Sequence, residues 1–255
     1  LYNTYRNSSG LWKKNSGCVN NFGSYVAIKS DKTIFCWGRS DTGGNTPSGL
    51  TNVIYICPSS GSFTALKNDG TVISWGTIAA APSDLSNVIE VYSTASAFAA
   101  LKSDRTVVAW GSSSGGGDMT STILAQGRNY RAPFTIYRES VEDISNVVQI
   151  YSTNTAFAAL KSDGTVSAWG KGDGGGDLTN YQDTSYDYSN YHTTGEVLYT
   201  HNYGIDMSDL SNVVQIYPTY RAFAALKSDG TVGAWGSPYY GGDITNAHHS
   251  PSIRI

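Results

Sequence analysis

The sequence predicts an all-β chain in which one small antiparallel sheet is written several times, and three observations carry that prediction. The stretch AFAALKSDGTVSAWG at 156–170 returns at 222–236 with one change, and at 97–111 as AFAALKSDRTVVAWG. Within each copy, apolar and polar residues alternate over short runs, the period of a strand rather than a helix. Between two such runs stands Asp-Gly, the strongest short-range hairpin signal because its turn needs a positive φ.

The unit at 146–170, NVVQIYSTNTAFAALKSDGTVSAWG, resolves into three strands. VVQIYS is a β-branched run, TAFAALK alternates, and TVSAWG alternates again after Ser162-Asp163-Gly164. Each unit is thus a three-stranded meander with room for a fourth edge strand. Clear copies fall at about 18–38, 53–76, 88–111, 147–170 and 213–236, and they end in Trp37, Trp75, Trp110, Trp169 and Trp235. The first two spacings are 38 and 35 residues and the last two are 59 and 66, near twice the period. Worn copies are expected in the long gaps. TTGEVLYTHNYGIDMS (193–208) can be laid on the hairpin and its sequel, and YRAPFTIYRES (130–140) on YRAFAALKSD (220–229). Seven units are favoured over five with two long Tyr-rich insertions, because structureless loops of that length are uncommon in compact domains.

A three-stranded sheet cannot bury both faces alone, so copies must stack face to face, and radial stacking that closes on itself also protects the edges. Phe157 and Ala159 point to one face, Ala158 and Leu160 to the other. Trp169 and its equivalents supply buried plates whose N–H calls for a partner, expected to be a backbone carbonyl. Gly170 suits a positive φ. Lys32 and Arg105 stand where the other copies have the turn glycine, at a cost of about 1 kcal/mol if the turn is kept.

Lys29, Lys67, Lys102, Lys161 and Lys227 occupy one position in five units, with Asp31, Asp69, Asp104, Asp163 and Asp229 two residues later. A docking rim is one reading. The favoured reading is a solvated turn stabilised by its own Asp. Glycine clusters follow the tryptophans: RSDTGGN (39–45), SSSGGGD (112–118), KGDGGGD (171–177) and SPYYGGD (237–243). They lack the following helix of a phosphate loop and the alternating carboxylates of a calcium loop, so inter-blade turns are expected.

VVQIYSTNTAFAALKSDGTVSAWG resembles the regulator of chromosome condensation repeat through Ala159-Leu160, Asp163-Gly164, Val166 and Trp169-Gly170 and their counterparts. The resemblance implies a β-propeller of three- to four-stranded blades, here expected as seven, five clear and two degenerate. It also implies closure by terminal strands. Residues 1–16 and 238–255 are the candidates for closure or assembly tails of a single 1–255 domain. Where the founding nuclear member has His near its channel, this chain reads Thr, Ser or Tyr, and the short period is nearer to the secreted bacterial members.

Net charge is −3 with 15% charged residues, and 18 Tyr carry much of the polarity. This weighs against nucleic acid, which demands a basic stripe. No apolar run reaches the ~18 residues of a membrane helix. Cys18, Cys36 and Cys57 allow one disulfide plus a free or intermolecular thiol, or three buried thiols. Asn7 heads a glycosylation sequon. His192, His201, His248 and His249 lack zinc spacing. No nucleophile elbow is present, and SDGTVSAW misses the sialidase Asp-box spacing. The expectation is therefore a non-enzymatic extracellular or cell-surface binding or self-assembling propeller, without cofactor or metal. Its partner would be a protein, a surface glycan or further copies of itself. Tyr181, Tyr186, Tyr188, Tyr191, Tyr199, Tyr203, Tyr239 and Tyr240 are the candidate contact residues. The alternatives are an intracellular interaction or guanine-nucleotide-exchange scaffold, by family analogy, and a glycosidase-type propeller.

Overall fold

The computed structural model describes residues 18–119, 144–176, 178, 210–242 and 244. It gives the backbone alone at 4–6, 12–14, 120–125, 135–140, 182–186 and 198–202. The described elements are β-strands and short 3-10 turns. In chain order the strands are β1 (Thr4–Arg6), β2 (Trp12–Lys14), β3 (Ser24–Ile28), β4 (Ile34–Gly38), β5 (Val53–Pro58), β6 (Ser62–Lys67) and β7 (Val72–Gly76). There follow β8 (Val88–Ser93), β9 (Ala97–Lys102), β10 (Val107–Gly111), β11 (Thr120–Ala125), β12 (Thr135–Ser140), β13 (Val147–Ser152), β14 (Ala156–Lys161) and β15 (Val166–Lys171). The last are β16 (Gln182–Tyr186), β17 (Leu198–Asn202), β18 (Val213–Pro218), β19 (Ala222–Lys227) and β20 (Val232–Gly236).

The five repeat units form five blades of a β-propeller. Blade 1 is the pair β3–β4, and blades 2, 3 and 5 are the meanders β5–β6–β7, β8–β9–β10 and β18–β19–β20. Blade 4 is β13–β14–β15 extended by the β11–β12 hairpin, with β11 parallel to β15 at Ser121↔Gly170. Every second-to-third strand hairpin uses one turn. Lys29 donates its N–H to Thr33 and accepts from Lys32, and Lys67, Lys102, Lys161 and Lys227 repeat the pattern. The residue that needs a positive φ is glycine in three blades (77–83°), while Lys32 (64°) and Arg105 (67°) adopt the same conformation. The turn is kept at about 1 kcal/mol apiece.

Blade is stitched to blade by backbone bonds at both ends. At the hairpin-turn end, Val53 donates to Lys32 O, Val88 to Gly70 O, Val147 to Arg105 O and Val213 to Gly164 O. The preceding asparagines Asn52, Asn87, Asn146 and Asn212 lie at φ 57–60°, a conformation their short polar side chain tolerates, and this aims the first strand at the neighbouring blade. At the other end, Phe22 donates to Ser60 O, Ser60 to Ala95 O, Ala95 to Asn154 O and Asn154 to Tyr220 O.

These bonds revise the expected count of seven. Blade 3 bonds directly to blade 4, and blade 4 to blade 5, so neither worn copy stands between clear ones. The 130–140 segment supplies β12 at the outer edge of blade 4, and 193–208 supplies β17, which pairs with β16. Hydrophobic matching suggested extra blades, but neither segment carries the Asn-Val start that docks a first strand onto the preceding turn.

The core lies between blades. The trailing face of blade 4 (Tyr151, Ala158, Leu160, Val166, Ala168) packs on the leading face of blade 5 (Val213, Ile216, Phe223, Ala225, Trp235). The same pairing joins blades 3 and 4 and blades 2 and 3. A leucine or isoleucine two residues before each asparagine, Leu50, Leu85, Ile144 and Leu210, is buried in these seams.

Trp169 and Trp235 are fully buried and Trp110 nearly so. Each stacks on the phenylalanine opposite it, at 5.2 Å for Phe157–Trp169 and 5.1 Å for Phe223–Trp235. The indole N–H groups of Trp75, Trp169 and Trp235 donate to Gly43 O, Gly116 O and Gly175 O, the central glycines of the preceding blade's cluster. Those clusters are therefore inter-blade turns, each a 3-10 turn closed by a left-handed glycine. Blade 2 has no such cluster after Trp75, and Trp110 donates to Ser74 Oγ instead. Trp37 departs from the expected burial. It is 45% exposed, and among the described residues no blade lies against it.

Candidate binding face

The two ends of the blade array differ in kind. At the hairpin-turn end the sequence repeats, and so does its chemistry. Asp31, Asp69, Asp104, Asp163 and Asp229 each accept the backbone N–H and hydroxyl of the threonine two residues on. Those bonds hold the carboxyls below the usual carboxylate range, Asp104 at about 2. Lys67 and Lys102 pair with Asp69 and Asp104 at 2.9 and 3.0 Å in the open, where such pairs contribute little. Each Asp serves its own turn, as the sequence suggested.

At the opposite end, where the first strand turns into the second, the repeat breaks down. The five equivalent turn residues are Phe22, Ser60, Ala95, Asn154 and Tyr220, joined in series by the backbone bonds above. Beneath four of them the turn is standardised. Thr94, Thr153 and Thr219 each accept the N–H of the residue three on and donate to a carbonyl of the following glycine cluster, at Gly115, Gly174 and Tyr240. Asn21 does the same in blade 1 through Ser24 N and Thr42 O. A shared base thus presents unlike side chains from blade to blade.

Phe22, Ser60, Asn154 and Tyr220 border a cavity of about 330 Å³. Asn20, Ser60, Ser152, Thr153, Asn154 and Thr219 supply its polar lining, and Val19, Phe22 and Tyr220 its apolar part. Ser60 Oγ is buried there without a hydrogen-bond partner. The N-terminal strap enters from one side. Cys18 is disulfide-bonded to Cys57, Val19 donates to Ser93 Oγ, and Ser93 Oγ donates to Pro58 O. Cys36 is the free thiol, buried in β4, and burial pushes its pKa up.

On the blade 5 side the rim is charged and aromatic. Asp173 accepts from Lys171 at 3.0 Å and lies 3.5 Å from Arg221. The Arg221 guanidinium sits 5.7 Å from the centre of the Tyr220 ring, and Tyr220 meets Tyr240 at 5.5 Å. Asp173 Oδ1 and Arg221 Nε are buried without partners. Of the candidate tyrosines, Tyr239 and Tyr240 are exposed beside this rim. Tyr186 and Tyr199 are placed only as backbone in the β16–β17 hairpin. Tyr181, Tyr188, Tyr191 and Tyr203 lie outside the described residues, as does Asn7. Phe22, Asn154 and Tyr220 stand at the cavity and were not among the sequence candidates. The signal was available as the one turn position that differs in every copy. Among the described residues no group of three or more His, Cys, Asp or Glu is placed to hold a metal, and no helix is long and apolar enough to cross a membrane.

No family model and no curated protein matches the chain. Among solved structures it is similar to yeast RCC1 (Prp20) in its complex with Kap60, at 16% identity and TM-score 0.49, over 85% of this chain and 54% of that one. It is also similar to human WBSCR16, at 15% and 0.46 over 85% and 60%. The ectodomain of the Physcomitrella patens receptor kinase CR4 follows, at 14% and 0.46 over 87% and 53%. The chain spans a little over half the length of these proteins. The fold itself rests on the strand register and blade contacts above.

Proposed function

We propose that this chain is a non-enzymatic binding module working outside the cell or at its surface, with the hub end ringed by Phe22, Ser60, Ala95, Asn154 and Tyr220 as its contact face. One observation carries the reading. The chain repeats its scaffold almost letter for letter and varies it at five linked turns, four of which border a cavity, the arrangement in which loops on a rigid frame confer specificity. The Cys18–Cys57 bond supports the setting, because disulfides persist in oxidising compartments. Exposed aromatic rings around a polar hollow support the role, since rigid aromatics bind at low entropic cost.

The test compares binding of the purified chain to cells and matrix of its source. Phe22→Ala/Tyr220→Ala alters the contact face, and Lys67→Ala/Lys102→Ala alters the opposite end. Loss confined to the first variant is expected. Equal binding by both variants, or loss confined to the second, refutes the assignment. Denaturing thiol titration of chain isolated from its source should find only Cys36 reactive. Three reactive thiols would refute the setting.

A further inference from the structure

Blade 1 and blade 5 each present half of an interface that the chain makes four times internally. In blades 2 to 5 the leading face is covered by the blade before it. In blade 1 the corresponding face is open, with Tyr25 63%, Phe35 54% and Trp37 45% exposed, and Trp37 stacked between the other two rings at 5.4 and 5.8 Å. Tyr92 and Tyr151 on the trailing faces of blades 3 and 4 are buried by the next blade, whereas their counterpart Tyr217 is 52% exposed, with Val232 at 42%.

The turn that would receive a following blade is also built and open. Gly241 closes its 3-10 turn at φ 93°, matching Gly43, Gly116 and Gly175. At those three positions an added Cβ would strike the next blade's Phe–Trp pair, and at Gly241 it would meet nothing within 4 Å. Likewise Gly164 abuts Asn212 of the next blade, and its counterpart Gly230 abuts nothing.

We infer that a second copy of this chain docks head to tail, the leading face of blade 1 on the trailing face of blade 5, with the Trp37 indole N–H donating to the partner's Gly241 carbonyl. The occupant is fixed by the four internal interfaces, which show what each half accepts. Among the described residues the chain's own two halves stay exposed to solvent. Such a heterologous contact leaves one free half at each end of every dimer, so it propagates into a closed ring or a filament. The inference concerns other surfaces than the hub face and does not depend on it.

Sedimentation velocity and light scattering from low to high micromolar concentration provide the test. Wild type should grow in mass beyond a dimer. Phe35→Glu and Val232→Glu, both at exposed positions, should each remain single chains with unchanged circular dichroism. Mixed one to one, they should form a dimer that grows no further, because each retains the half that the other has lost. Tyr217→Glu replaces Val232→Glu if the latter fails to fold. Wild type of single-chain mass throughout, assembly persisting in either variant alone, or a mixture that stays monomeric overturns the inference.

Discussion

Gly116→Ala and Gly241→Ala should differ in cost by an amount that measures inter-blade packing alone. Both glycines cap the same turn at nearly the same φ, 92° and 93°. A left-handed alanine costs about 1–2 kcal/mol at either site. At Gly116 the new methyl carbon would also lie 2.9 Å from the Phe157 ring and 3.1 Å from Trp169, both fully buried. Overpacking of that kind adds about 1–3 kcal/mol and pushes against the Trp169 N–H bond to Gly116 O. At about 2–4 °C per kcal/mol for a chain of this size, Gly241→Ala should lower Tm by roughly 2–8 °C and Gly116→Ala by roughly 4–20 °C. Urea unfolding at low protein concentration, followed by tryptophan fluorescence and circular dichroism, gives the difference directly, provided the m-values agree. Equal losses would mean that these glycines answer only to backbone conformation and that blades do not rest on them.

The turn aspartates make stability depend on acid. Their folded pKa values lie below the ordinary carboxylate value, so their contribution is complete above about pH 4 and is lost as pH falls towards about 2. Tm should decline across that window, and replacing Asp69, Asp104, Asp163 and Asp229 by Asn should flatten the decline. An unchanged slope refutes the assignment. Lys32→Gly should raise unfolding free energy, by up to about 1 kcal/mol, as left-handed strain is relieved. A loss instead would show that the lysine makes contacts worth more than its strain. Reducing Cys18–Cys57, which are 39 residues apart, should destabilise by up to about 4 kcal/mol on the chain-entropy account, read as a shift in the urea midpoint. No shift would mean that the strap is held by Val19 and Phe22 backbone contacts alone.

The repeat announced most of the fold. Asp-Gly turns, alternation and a terminal tryptophan are local features, and locally determined hairpins formed where they fell. The indole acceptor was likewise foreseeable as a carbonyl, since a buried N–H must be satisfied. The blade count was not readable from hairpin similarity, because docking depends on Asn52, Asn87, Asn146 and Asn212 and on the apolar residue two positions earlier, which the stretches laid on 193–208 and 130–140 did not include. Trp37 misled for a related reason. It closes its repeat with the same Trp-Gly as Trp169, and the sequence does not show that among the described residues no blade lies against it. For the proposed binding face, the sequence displays most plainly its abundance of tyrosine in the long gaps. Variation at one register position is a second signal, and it becomes visible when the turns are seen to be bonded in series.

Val147 reaches back to Arg105 as directly as Val88 reaches Gly70, although the whole β11–β12 segment lies between the first pair and a short linker between the second. The hub is therefore indifferent to cargo spliced in at its periphery. Material of almost any length can be looped out at a blade boundary without retuning the wheel, so such a chain can acquire new appendages by insertion while its spokes stay unaltered. A foreign peptide placed between β11 and β12 would travel as a passenger on an axle that never registers it.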